Sequence, residues 1–194
     1  MIIASDYNGE TGLYACLTPT VLPPKPTIST INRLPIVWDG LEQDEYHVTV
    51  VYDSEARVSR EDLEAWIFVS SSIPNIDDPS AWKASSADGR AKPPLKAATV
   101  SKVLWWTNKD SVYVGLELYC PEAFALHEEM KAALGVKSSF PSYKCHLTYG
   151  RWKNFPPSLV ADIVFMNDFV SRAVSVEVPP ILELSTLEIK NAKH

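Results

Sequence analysis

The sequence predicts an α+β fold built on antiparallel sheets, and three observations predict it. Strand-forming segments outnumber helical ones, and two of them are joined by a short turn as a hairpin. The order strand, helix, strand, helix, hairpin, helix, strand, helix, strand, strand also lacks the regular alternation of a doubly wound parallel sheet. With 194 residues, 46% hydrophobic and 22% charged, the chain has globular composition and enough length to bury a core without cross-links. A single domain over residues 1–194, of up to two lobes, is expected.

Leu13 to Leu17 is a short apolar run that predicts a strand. Thr18 to Pro35 holds five prolines, and within it Ile28, Ile31 and Leu34 recur every three residues, allowing a short helix opened by Pro26. Glu45 to Tyr52 is β-branched and aromatic, with polar and apolar positions alternating up to Thr49, which predicts a strand. Ser59 stands three residues before Asp62 in a capping arrangement, and Leu63, Trp66 and Ile67 form one face, so a helix runs from Ser59 to about Ser70. Ser71 to Lys96 is polar, carries four prolines and predicts a surface loop. Ala97–Trp106 and Ser111–Tyr119 pair as a hairpin across Thr107–Asp110. Pro121 opens a helix to Leu134 that Gly135 ends. Lys144–Tyr149 is a strand, Pro157 to about Val170 a helix, and Arg172–Val178 and Ile181–Ile189 are strands separated by Pro179-Pro180.

Three cysteines without a CxxC spacing argue against a disulfide framework and a thiolate zinc site, which favours a reducing compartment. No stretch approaches the roughly 18 apolar residues of a membrane span, and Met1 to Glu10 lacks the pattern of a signal peptide. Eighteen basic against 24 acidic residues give a net charge of −6, which disfavours binding along a long phosphate backbone. A soluble cytoplasmic protein without membrane partners is expected, with no indication of oligomeric state.

One short pattern recurs. Tyr46-His47-Val48-Thr49 and Cys145-His146-Leu147-Thr148 both place His-apolar-Thr inside a predicted strand. Residues two apart on a strand share a face, so each strand presents an imidazole beside a hydroxyl while Val48 or Leu147 turns to the core. Four histidines and ten threonines in 194 residues would yield about 0.2 such motifs by chance. Two imidazoles suit phosphodiester chemistry without a metal or cofactor: one takes a proton from the attacking hydroxyl and the other gives one to the leaving oxygen. The hydroxyls of Thr49 and Thr148 can donate to the non-bridging oxygens as charge builds there. The plain alternative is two satisfied sheet histidines. A metal site is disfavoured because threonines are poor ligands and no HExxH occurs.

Paired His-x-Thr motifs resemble the 2H phosphoesterase superfamily. The stretch Val114 to Tyr149, with Gly135 and Phe140-Pro141-Ser142-Tyr143-Lys144-Cys145-His146-Leu147-Thr148, resembles its phage anti-CBASS branch, which cuts cyclic oligonucleotide immune signals. The resemblance runs from about Gly12 to Tyr149. It implies a bilobal, pseudo-symmetric fold of two antiparallel sheets with outer helices and a central cleft. It also implies a cyclic di- or trinucleotide partner cut at a 3′-5′ linkage. Tyr14 and Trp106 hold the places of residues that stack on the substrate's bases. An acidic residue near the C-terminus covers the ligand in that branch; Glu183 stands in that place, with Glu188 the other candidate, and 179–194 would form the covering segment. Related members act on RNA 2′,3′-cyclic phosphates or 2′-5′ oligoadenylate, and a protein that sequesters a nucleotide uncut is the rival of another class.

Among the remaining side chains, Lys144 shares the predicted face of His146 and is a candidate phosphate contact, or else a solvated lysine. His127 reads as a solvated or lobe-packing helical residue and Tyr149 as structural. Cys120 and Cys145 read as small buried apolar residues. Arg151 and Lys153 read as solvated surface, as does the acidic run Glu42 to Glu45.

Overall fold

The structure, a computed structural model, describes residues 13–29, 34–53, 58–72, 96–108, 110–136 and 142–191. Most of the expected surface loop between Ser71 and Lys96 lies outside them, as do Ile31, Phe140 and Pro141.

Among the described residues nine strands and four α-helices follow in the order β1 Leu13–Pro19, β2 Thr27–Ile28, β3 Val37–Gly40, β4 Val48–Asp53, α1 Arg60–Ser72, β5 Lys96–Asn108, β6 Ser111–Tyr119, α2 Pro121–Leu134, β7 His146–Lys153, α3 Pro157–Val160, α4 Ile163–Ala173, β8 Val174–Ser175 and β9 Ile181–Asn191. The fold is α+β and mostly antiparallel sheet. Helices α1 and α2 start where their sequences say they should. Ser59 Oγ accepts the Asp62 N–H at 3.0 Å and donates to the Asp62 carboxylate at 2.6 Å, capping α1. Pro121 occupies the first turn of α2, and Gly135 ends it at φ 65°, where a side chain would be strained.

Three segments differ from the sequence expectation. The helix expected after Pro26 is instead β2, because Thr27 and Ile28 pair with Ser175 and Val174 of β8, far along the chain. The helix expected from Pro157 to Val170 is broken into α3 and α4: the Asp162 carboxylate accepts the Phe165 N–H at 2.9 Å and starts a new helix. That restart carries the helix on to Ala173, through a buried stripe of Met166, Phe169, Val170 and Ala173. The strand expected over Arg172–Val178 is thereby reduced to two residues.

Seven of the described strands form one sheet in the order β3-β7-β4-β1-β9-β5-β6, in which β6 also pairs with β7, while β2 and β8 pair apart from it. The ladder of the large sheet therefore returns on itself, and both motif strands belong to it, where two separate sheets of the two lobes were expected. Alternate positions face two hydrophobic cores. The larger gathers Ala15, Leu17, Val48, Val50, Leu116, Leu147 and Leu184 with Leu63 of α1 and Met130 of α2. The smaller gathers Val112, Val114, Trp152 and Phe155 with the buried stripe of α4. Burying each large apolar side chain contributes about 1.5–3 kcal/mol, and the polar face opposite is left to carry the site. Among the described residues no helix is long and apolar enough to cross a membrane.

Candidate active site

Strands β4 and β7 touch through the pairing of Val48 with Leu147, both fully buried. In antiparallel register this places His47 across from Thr148 and Thr49 across from His146, all four half-buried on the opposite face. The two motifs, far apart in the chain, thus become a diagonal square of two imidazoles and two hydroxyls. Val48 and Leu147 point into the core as their alternation predicts.

Both imidazoles are held in the same way. His47 Nδ1 lies 2.6 Å from the Glu45 carbonyl oxygen, and His146 Nδ1 lies 2.6 Å from that of Lys144. A carbonyl only accepts, so each Nδ1 carries the proton and each Nε2 is left for chemistry. A 3-10 turn over Gln43–Glu45 aims the first carbonyl, and Glu45 closes it by accepting the Glu42 N–H at 3.1 Å. The acidic run is therefore a device for orienting His47 as well as a solvated approach. Burial pulls both histidine pKa values below the ordinary value of 6.5, against the upward pull of the carbonyls. For His47 the nearby charges of Lys190 and His146 lower it further.

An aromatic ring flanks each histidine. Tyr14 stacks on His47 with centroids 4.8 Å apart, and Trp106 meets His146 edge-on at 4.7 Å. Both sequence-predicted aromatics thus border the square. Burial pushes the Tyr14 hydroxyl up to about 12, so it remains a donor. Trp105 points the other way, donating to Asn167 Oδ1 at 2.8 Å. Trp106 also stacks on Tyr113, whose hydroxyl accepts from Arg151 Nη1 at 3.0 Å. Arg151 and Lys153 both pair with Asp39, at 3.2 and 2.8 Å. Arg151 thus belongs to the aromatic platform, and sequence reasoning missed both it and Tyr113. The two-residue alternation of β6 and β7 was the signal that would have found them.

The two acidic candidates stand at different distances from the histidines along β9. Glu188 pairs with Cys16, which pairs with Thr49, so one cross-strand row joins Glu188 to the square; Lys190, unforeseen, pairs with Tyr14. Glu183 lies across from Ala97, away from the histidines, and its carbonyl accepts the Thr20 N–H at 2.8 Å. Lys144 is exposed, and it is its carbonyl that reaches His146. Cys16 is fully buried and burial raises its thiol to about 12, which makes it inert as a nucleophile. Cys120 and Cys145 are buried as expected.

His127 is a buried packing residue whose Nδ1 lies 2.7 Å from the Val50 carbonyl oxygen. It stacks on Tyr143 at 4.3 Å, and Tyr143 donates to the Thr49 carbonyl at 3.0 Å. Together they tie the β4 backbone to the segment that leads into His146. Tyr149 is buried edge-on against Tyr46 at 5.3 Å. Among the described residues no three His, Cys, Asp or Glu side chains gather closely enough to share a metal ion. The chain matches no protein-family model and no curated protein.

Proposed function

We propose that this chain is a phosphodiesterase that cleaves 3′-5′ linkages of cyclic di- or trinucleotides by histidine acid–base catalysis. The observation that carries the reading is the square of His47, Thr49, His146 and Thr148, with both Nδ1 atoms held on carbonyls and both Nε2 atoms left for chemistry. One Nε2 takes the proton of the ribose 2′-hydroxyl, whose oxygen attacks phosphorus. The opposite, protonated Nε2 gives its proton to the departing 5′-oxygen, leaving a 2′,3′-cyclic phosphate. Thr49 and Thr148 donate to the non-bridging oxygens, and Tyr14 and Trp106 hold bases by stacking. The meeting of the two motif strands at the β4–β7 contact, within an antiparallel sheet flanked by helices, supports a reading as a 2H phosphoesterase-like fold. The resemblance to the anti-CBASS branch makes the biological role a phage's counter-defence in the cytoplasm of its host, and the net charge of −6 favours a small substrate over long RNA.

Chromatography of reactions run in EDTA tests this, with cyclic di- and trinucleotides, 2′-5′ oligoadenylate and RNA ending in a 2′,3′-cyclic phosphate as substrates. Opening of a 3′-5′ ring is expected, with turnover lowered roughly 10²–10⁴-fold in His47→Ala and in His146→Ala. Turnover of the 2′-5′ or RNA substrates alone would move the chain to another branch. A mutant with wild-type turnover would remove the acid–base assignment.

A further inference from the structure

The ladder between the two motif strands stops at Val48 and Leu147. Beyond it the Tyr149 carbonyl accepts the Leu41 N–H at 2.8 Å, and the Tyr46 N–H turns to the Gln43 carbonyl at 3.2 Å. What continues the contact is a pair of side chains. Tyr46 stands two residues before Val48 and Tyr149 two after Leu147, so in the same register they lie across from each other on the core face. Their rings cross edge-on with centroids 5.3 Å apart, Tyr46 being 1% and Tyr149 0% exposed. Neither hydroxyl has a hydrogen-bond partner among the described residues. Burial pushes both phenols up, Tyr46 to about 12, and the nearness of Tyr46 adds to the rise at Tyr149. Both therefore stay protonated, each with a proton to donate and lone pairs to accept.

Two buried hydroxyls left unpaired destabilise a fold, and native proteins pair such groups with protein or with an internal water. One water can accept from the first phenol and donate to the second. We infer that Tyr46 and Tyr149 are a positioning pair, bridged by one internal water, that fixes the His47–Thr148 side of the square from behind; its effect on catalysis rests on the phosphodiesterase reading above. The chain positions argue for it. Tyr46 is joined directly to His47 and Tyr149 directly to Thr148, and those two residues face each other across the strands. The other side of the square, Thr49 with His146, is already tied by the Tyr143 hydroxyl on the Thr49 carbonyl. The phenol pair is the matching tie, so each histidine–threonine couple has its own. Both phenols lie on the core face, and they act on the reaction only through the residue next to each in the chain.

Tyr46→Phe, Tyr149→Phe and the double variant keep both rings and remove the hydroxyls singly and together, and thermal melting checks that each folds. A high-resolution crystal structure of the wild type is expected to show a water within hydrogen-bond distance of both Oη atoms. Each single variant should melt a few degrees lower, because it leaves the bridge with one partner. With a cyclic dinucleotide as substrate, kcat should fall roughly tenfold in each single variant while KM holds. The double variant should lose no more than either single one, since both remove the same bridge. No water at the two hydroxyls overturns the pair, as do single variants that melt higher than the wild type, the result of relieving unpaired buried hydroxyls. An unchanged kcat in all three variants, or losses that multiply in the double variant, overturns the shared positioning role. A bridging water and lowered melting in a protein that cuts no cyclic dinucleotide keep the pair and remove the phosphodiesterase reading instead.

Discussion

Each imidazole donates Nδ1–H to the carbonyl two residues before it, and this shared restraint makes the pair exchangeable in chemistry. The pKa directions then set the pH dependence. Burial disfavours the charged ring, so both histidines lose their proton below 6.5 in the free protein. The proposed reaction needs one of them protonated. As pH rises that form is depleted, so kcat/KM is expected to fall from pH 6.5 to 8, approaching tenfold per unit. A pH–rate profile that stays level or climbs over that range contradicts the assignment. Thr49→Val, which keeps shape and removes a donor, should lower kcat by tenfold or more with little change in fold; single-turnover kinetics measure it.

At the scale of elements, β4 and β7 share a single bridging pair, and other groups fix their separation. Tyr143 ties the Thr49 carbonyl to the segment entering β7. Tyr143→Phe keeps the stacking on His127 and removes that hydrogen bond, so a loss of about 1 kcal/mol in urea denaturation is expected, together with a lower kcat. On the other side of β7 the spacing depends on Gly115, where a Cβ would lie 2.0 Å from the Leu147 carbonyl oxygen. Gly115→Ala must push β6 from β7 and should destabilise by about 1–3 kcal/mol, again read by denaturation. The caps of α1 and α2 were visible in the sequence because Ser59, Pro121 and Gly135 act within one helical turn of themselves. The division between α3 and α4 was not, because the same residues suit one long helix until Asp162 chooses to cap.

Across the whole molecule, two hydrophobic cores share the same strands. In β6, Val112 and Val114 serve the smaller core and Leu116 and Leu118 the larger, and in β7 Tyr149 and Trp152 divide likewise. Neither core can be lost without stripping strands from the other, so a single cooperative unfolding transition is expected. Tryptophan fluorescence and far-ultraviolet circular dichroism should give one midpoint, in Met166→Ala as in Leu63→Ala, and separate midpoints would show independent lobes. The sequence by itself determined the α+β class, the strand alternation that turns Val48 and Leu147 inward, the helix caps and the two His-x-Thr motifs. All of these are written in residues within a turn or a strand of one another. Only the tertiary structure decided that the sheet closes through β6 and β7, and that Glu188 rather than Glu183 stands beside Cys16. It alone joined Tyr143 to Thr49, 94 positions apart, and Arg151 to the aromatic platform. Those outcomes depend on which strand edges meet, and a pairing chosen by the burial of whole faces leaves no mark in the local pattern of either partner.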